Sequence, residues 1–445
     1  MKTNIATIAL EAALSCGMDG ARITQSEGLQ RAWSLLSGKP DRLQYAAGAS
    51  LSIQLYQDGR YGSFSTNRLE REDVEAFVRR AAESVRLLTP DPAYKMPDPA
   101  LLYRGDCPDL GQSDPNFDAI PEVAKKQLLY TAAQELLSRP KSTLIASEVE
   151  FGESQESCYI LDSCGFEGRS AQTYYTLSAE CSIRGKDDEK PQGWWYEAAQ
   201  FFDQLRPEGC GNQAWERAVR MLDPRPLPGG NYSVILENTV SSRLLSPVLA
   251  ALSGASIYQQ NSFLMDSLDK QLFSQHLTLL DEPLTYGAMG SRYFDSEGLA
   301  TKPRQIIDQG VVRTWFLNTY TATKLGMQPT IEGISVPVLQ PFGPETAAEM
   351  MQELDRGVLI TSFNGGNSNG ATGDFSFGIE GIYFENGQPQ YPIREMNISG
   401  NLLSLWSRIC AVGKDSRQAA RWRIPSLAFE AVTLQELLSG TMFEL

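Results

Sequence analysis

Histidine is nearly absent from this sequence: one, His276, among 445 residues. That scarcity excludes any zinc site needing two imidazoles and any Ser-His-Asp triad not built on His276. Basic residues are in deficit, with 39 Lys and Arg against 54 Asp and Glu and a formal net charge of −15. A nucleic-acid surface needs a basic face, so direct contact with DNA or RNA is not expected. Cysteines number seven, at irregular positions 16, 107, 158, 164, 181, 210 and 410, with no C-x-x-C pair. Such spacing is a poor disulfide framework, and reduced thiols in a cytoplasmic protein are expected. No long hydrophobic run exists either. The longest, Leu244 to Ala255, contains Ser246, Pro247 and Ser253, and a membrane span needs about 20 apolar residues. The apolar stretch from Ile5 to Cys16 ends in a cysteine, as a lipoprotein leader would. Glu11 interrupts it and Leu14 sits beside the would-be cleavage point. An amphipathic first helix, capped by Thr3 and stopped near Gly17, is expected instead.

What is present is an ordinary globular balance, 42% hydrophobic and 21% charged, enough apolar mass for a real core. Gln30–Leu36 and Ser50–Tyr56 carry partly alternating apolar residues, and Asp58-Gly59 is a hairpin-turn signal leading into a strand over Tyr61–Ser65. Arg71 to Leu88 places Val74, Phe77, Val78, Ala81, Val85 and Leu88 on one helical stripe. Seven prolines between Leu88 and Pro121 exclude regular structure there. A helix over Glu122–Leu137 follows, then strands over Ser157–Leu161 and Phe166–Ile183, a polar loop over Gly185–Gly193 and a helix near Gln213–Leu222. The proline-rich 224–230 is a second boundary. Beyond it come a strand over Tyr232–Leu236, a helix over Thr239–Leu252, and hairpins around Asp308-Gln309-Gly310 and Asn386-Gly387. The polar 364–374 stretch reads as a loop, because it lacks apolar residues to order it. The expected class is α+β: an N-terminal mixed α/β region with antiparallel strands and a β-rich C-terminal domain. The expected divisions are 1–105, 106–228 and 229–445.

Few residues announce chemistry. A lone His276 is more often structural than catalytic. The glycine-rich 364–374 stretch has neither lysine nor phosphate-loop spacing, which leaves a surface loop or a peptide contact. Asp295 and Glu297 could do acid–base work if burial raised one pKa. They could equally cap a turn and pair with Lys302 or Arg304. No G-x-S-x-G is present, and no nucleophile has an evident base.

Several segments together resemble the TldD/PmbA family, whose members are also described as modulators of DNA gyrase. Phe294-Asp295-Ser296-Glu297-Gly298-Leu299-Ala300-Thr301 is similar to its D-x-E-G-x-x-T element. Asn318, Tyr320, Ala322 and Lys324-Leu325-Gly326 resemble the helix that follows it. Gly373-Asp374-Phe375-Ser376-Phe377-Gly378, Glu385-Asn386-Gly387, Ile398-Ser399-Gly400-Asn401-Leu402, Val412-Gly413-Lys414-Asp415 and Pro425-Ser426-Leu427 match its C-terminal signature. Asp58-Gly59-Arg60-Tyr61-Gly62 matches its N-terminal hairpin.

The family's TldD-like branch carries H-E-x-x-x-H, whose imidazoles bind zinc and whose glutamate activates the zinc-bound water. The matching stretch here is Leu236-Glu237-Asn238-Thr239-Val240-Ser241-Ser242. Glu237 and Ser242 replace the histidines, and Asn238 replaces the glutamate. An amide cannot take a proton from water at neutral pH, and a serine hydroxyl is a poor zinc ligand. The cysteine ligand after Asp415 has no counterpart in Ser416-Arg417-Gln418-Ala419-Ala420-Arg421 either. The resemblance is therefore to the metal-free PmbA (TldE) branch, with no metal, no cofactor and no catalytic residue of its own. It implies a chain that lines a peptidase chamber and binds small or unfolded peptides. The implied partner is a TldD-like zinc subunit, or a second copy in a homodimer. Asp295, Gly298, Gly373, Asp374 and Asn401 match family motifs and are candidates for fold integrity or chamber lining. Two alternatives stand beside this reading. One is a non-enzymatic regulatory protein, a gyrase- or antitoxin-related modulator. The other is an independent enzyme using the acids near Asp295.

Overall fold

The computed structural model describes residues 4–105 and 108–436. The chain opens with α1 (Ile5–Ser15), capped by Asn4, whose Oδ1 accepts the Ala6 N–H at 3.1 Å. The expected cap, Thr3, lies outside the described residues. Then come β1 (Gly20–Leu36), β2 (Lys39–Gln57), β3 (Arg60–Thr66) and α2 (Arg71–Arg86). The proline-rich connector holds only short 3-10 turns, at Pro99–Leu101 and Phe117–Ala119, among its described residues. It leads to α3 (Glu122–Leu137), β4 (Leu144–Asp162), β5 (Glu167–Ile183), β6 (Gln192–Ala199) and α4 (Cys210–Arg220).

All six of these strands form one sheet, ordered β3-β2-β1-β4-β5-β6 and antiparallel throughout. The first and middle segments of the chain therefore share a sheet. Its strands are far longer than the sequence pattern suggests, β1 having 17 residues and β2 having 19. The extra length lies in stretches such as Ser26-Glu27-Gly28 and Ala46-Ala47-Gly48. These are not buried and do not alternate, so they carry no periodic signal. Their neighbours in the ladder hold them straight.

Helices cover the two ends of this sheet and leave its middle open. At one end Ile23, Leu51, Ile53 and Leu55 pack under α1 and under Val74, Val78 and Val85 of α2. At the other, Leu35, Phe151 and Leu177 pack under Leu129 and Leu136 of α3 and Ala214 of α4. Each end also holds a buried ion pair, Arg22–Asp162 at 3.0 Å and Lys125–Glu153 at 2.8 Å.

The remainder contains β7 (Gly230–Leu236), α5 (Ser242–Ala251), α6 (Gly254–Tyr258), β8 (Leu279–Asp281), β9 (Arg304–Asp308), β10 (Val311–Val312), α7 (Thr319–Leu325) and β11 (Pro337–Leu339). It ends with α8 (Ala347–Leu354), β12 (Arg356–Ser368), β13 (Asp374–Glu385), β14 (Gln388–Asn401), α9 (Leu402–Trp406), β15 (Ile409–Val412) and β16 (Leu427–Glu436). A sheet ordered β14-β13-β12-β7-β16-β15 closes on itself, because β14 also pairs with β16. Five of its strands thus make a barrel, with β7 and β12 parallel and the other pairs antiparallel. Alternation along β7 is clean. Val234 and Leu236 enter the main core, while Ile235 turns outward to Met350 and Met351 of α8. The long crossover from β7 to β12 carries a small sheet, β10-β9-β8-β11. The α+β class is confirmed. The 364–374 stretch is not simply a loop. β12 runs through Ser368 across a bulge where Gly365 and Gly366 adopt φ of 72° and 86°, and β13 supplies the hydrogen bonds that the stretch could not specify alone. Among the described residues no helix is long and apolar enough to cross a membrane, and six cysteines are free thiols.

Candidate functional site

Glu237 and Asn238 follow β7 in a tight turn, where the N–H groups of Val240 and Ser241 donate to the Glu237 carbonyl at 2.9 Å each. The helix expected from Thr239 begins only at Ser242. The Glu237 side chain accepts a hydrogen bond from Thr239 Oγ1, an interaction that competes with helical backbone bonding. Of the three positions that replace the zinc motif, only Ser242 is therefore helical.

Glu237 and Asn238 each have other partners. Arg217 of α4 donates from Nη2 to Glu237 Oε2 at 2.7 Å and to the Thr361 carbonyl at 3.2 Å. Its guanidinium also stands over Trp194 and Trp195, 5.6 and 5.5 Å from their ring centroids. Asn238 donates from Nδ2 to the Asp415 carbonyl at 2.5 Å. Asp415 in turn accepts the Ser426 N–H and hydroxyl at 2.8 and 2.7 Å. In the stretch that the resemblance sets against a cysteine ligand, Arg417 lies 3.8 Å over Trp195 and donates to the Tyr196 carbonyl. Among the described residues no three His, Cys, Asp or Glu side chains are grouped to hold a metal. The donor set does not fit zinc: its one carboxylate is committed to a guanidinium. Arg217, Trp194 and Trp195 escaped the sequence reading, since nothing links them to Glu237 before the chain folds. A cleft of about 410 Å³ opens beside the pair, with Lys190, Trp194 and Arg220 among its lining residues.

The Asp295 element lies elsewhere. Asp295 is 2% exposed, and its Oδ1 accepts the N–H groups of Glu297 and Leu299 at 2.9 and 3.0 Å. Its Oδ2 has no hydrogen-bond partner among the described residues. Burial, reinforced by the charges of Glu332 and Glu297, pushes its carboxyl up to about 7. Glu297 does not turn to Lys302 or Arg304. Its Oε2 accepts the N–H and hydroxyl of Thr319 at 2.7 and 2.8 Å, joining this loop to α7. Gly298 has φ of 80°, and a Cβ there would meet Phe166 at 2.9 Å. The loop borders a groove of about 1110 Å³, whose opposite wall is the uncovered middle of the first sheet.

Gly373, Asp374 and Asn401 come together as a clasp between β13 and β14. Asn401 donates from Nδ2 to Asp374 Oδ1 at 3.0 Å and to the Thr372 carbonyl at 2.9 Å, and its Oδ1 caps α9 through the Leu403 N–H. The Asn401 amide, together with the Thr372 hydroxyl that donates to Oδ2 at 2.7 Å, holds the Asp374 carboxyl below its usual range. Gly373, at φ of 80°, lies against Phe263. His276 is exposed and stacks on Phe342, 5.3 Å between ring centroids.

Family models match almost end to end: the PmbA/TldA metallopeptidase domain 1 over residues 21–85, the central domain over 115–222 and the C-terminal domain over 229–436. The chain is 31% identical over 399 residues to the metalloprotease PmbA of Escherichia coli O157:H7, covering 89% of this chain and 88% of that protein. A solved structure from Bacteroides thetaiotaomicron, described as a candidate modulator of DNA gyrase, superposes with a TM-score of 0.94 at 40% identity over 97% of this chain and 98% of that one. TldE from Thermococcus kodakarensis shares the fold, with a TM-score of 0.83 at 19% identity over 97% of this chain and all (100%) of the other. With the barrel, the long-stranded sheet and the motif-bearing loops all matched, the chain belongs to the PmbA/TldD metallopeptidase family.

Proposed function

We propose that this chain is the metal-free, PmbA/TldE-like member of a peptidase pair. It supplies chamber wall and peptide-binding surface to a zinc-bearing sibling that cleaves small or unfolded peptides in the cytoplasm. The observation that carries the reading is the Arg217–Glu237 pair, 2.7 Å apart with side chains only 10% and 15% exposed. A fixed cation already neutralises the only carboxylate at the replaced zinc positions, so a metal ion has neither its ligands nor its charge complement there. Zinc bound in the sibling would activate the attacking water. In this chain the Asn238 amide is spent on the Asp415 carbonyl, and no group at the position can take up a proton.

The outer edge of β2 supports the partnership. β3 pairs only with Leu51–Gln57, and Leu43 and Tyr45, before that stretch, are 68% and 69% exposed. Unpaired edges and exposed apolar side chains are what an added strand or a partner subunit covers. The test is reconstitution with a sibling carrying H-E-x-x-x-H, with elemental analysis of this chain alone. Peptide cleavage is expected only in the mixture, with no stoichiometric zinc in the lone chain. Zinc-dependent turnover by the lone chain, or an inert mixture, would overturn the reading.

A further inference from the structure

The groove between the first sheet and the Asp295 loop is large, at about 1110 Å³. Small-molecule pockets run from about 300 to 1,000 Å³, so its size suits a short polymer better than a metabolite. Its sheet wall is built from small residues. Gly28 and Gly48 face each other across β1 and β2, and both line the groove. A Cβ added at either would meet nothing within 4 Å, and neither has a positive φ. Neither backbone strain nor close packing explains them. What their lack of side chains does is keep the groove deep, as an isolated strand glycine does where another chain approaches closely.

The charge in the groove has one sign in excess. Asp109, Glu156 and Asp295 line it, against Arg292; Glu27 and Arg169 touch it only along the backbone, because they alternate with Gly28 and Ser170 and project from the other face of the sheet. Arg292 is already paired with Glu332 at 2.9 Å. Arg169 lies 4.5 Å over the Tyr159 ring, and Glu167 is 3.7 Å from it. No ion pair within 4.0 Å engages Asp109 or Glu156 among the described residues; Gln172 donates to Glu156 at 2.9 Å, and the Gly111 N–H donates to Asp109 at 3.0 Å. The Asp295 Oδ2, buried and without a hydrogen-bond partner among the described residues, is a further acceptor in the wall. Where the groove crosses β1 and β4, both edges of each strand are already paired, so a ligand there lies on the sheet face and does not extend the ladder.

We propose that this groove binds an extended peptide segment bearing lysine or arginine, seated over Gly28 and Gly48 with its cations toward Asp109 and Glu156. The proposal rests on the peptide-handling reading above and places the peptide's resting site on this chain, far in sequence from the Glu237 position.

The experiment is fluorescence anisotropy with the full chain and two labelled octapeptides of matched length, one lysine-rich and one glutamate-rich. Expected is at least about tenfold tighter binding of the lysine-rich peptide, a difference that shrinks as salt screens it. Gly28→Phe should weaken that binding by about tenfold or more by filling the groove, as should the double variant Asp109→Asn with Glu156→Gln by removing charge. Gly28→Ala, which meets open space, controls for folding by its melting temperature. Equal affinity for the two peptides, or unchanged affinity in both the Gly28→Phe and the double variant, would overturn the proposal. The assay contains no sibling and no metal. Binding without cleavage in the mixture therefore sinks the peptidase reading alone, and cleavage without binding here sinks the groove alone.

Discussion

Glu237 and Asp295 are both acidic and both withdrawn from water, and their surroundings could hardly differ more. Glu237 has a guanidinium at 2.7 Å, backed by two indole rings. Asp295 has two backbone N–H donors on one oxygen, nothing on the other, and two further carboxylates nearby. A carboxylate with a close cation ties two elements together, here α4 and the turn after β7. A buried one with like charges as neighbours holds its proton toward neutrality and keeps an oxygen available. The position that resemblance marks as functional is therefore the structurally saturated one, and the unsaturated chemistry lies beside the groove.

The hardest way to break this contrast is Arg217→Ala. It strands a mostly buried carboxylate and should lower unfolding free energy by about 3 kcal/mol in urea titrations, since unpairing a buried ion costs about 3–5 kcal/mol and this pair is slightly exposed. Adding Glu237→Gln should recover a large part of that loss. If Arg217→Ala is silent, the pair is ornamental and the metal-free argument loses its support.

Asp295 should show the opposite sensitivity. Its folded pKa, about 7, lies above the ordinary carboxylate value of 3.8. The folded state thus binds the proton more tightly, so the stabilisation is complete below pH 4 or so and fades as pH rises through about 7. Stability should fall over that window by at most about 1.4 kcal/mol per pH unit from this group. Asp295→Asn, which keeps an oxygen for the Glu297 and Leu299 N–H groups, should flatten the slope. Asp281, buried and also raised, leaves a residual slope of the same sign. An unchanged pH profile in Asp295→Asn would mean that the carboxyl is not held neutral.

Two glycines sharpen the comparison with smaller effects. Gly298→Ala meets Phe166 and a φ of 80°, and should cost about 1–2 kcal/mol in thermal or urea unfolding. Gly28→Ala should change stability by less than about 0.5 kcal/mol. A large loss at Gly28 would mean that it serves the sheet and not the groove.

Two helices were legible in the sequence almost to the residue: Glu122–Leu137 was expected and found, and Arg71–Leu88, read from its apolar stripe, was two residues too long. The hairpin turns were legible too, because Asp58-Gly59 and Asn386-Gly387 take positive φ at both positions, as the turn chemistry demands. The clasp residues Gly373, Asp374 and Asn401 were legible as a motif, though not as partners of one another. The uncovered middle of the first sheet left no trace, since exposed strand residues carry no hydrophobic period. Nor did Arg217, which reaches Glu237 from another segment of the chain.

The sequence by itself determined that one chain brings only one imidazole, that the class is α+β, and that local turns and helices fall where steric preference and apolar spacing put them. Only the tertiary structure decided that Arg217 meets Glu237, that Asp295 keeps one oxygen unbonded by the described residues, and that two ordinary glycines face each other across a groove. The physical reason is range. Backbone preference and periodicity act over a few residues, whereas burial, charge pairing and open volume depend on which distant segments pack together.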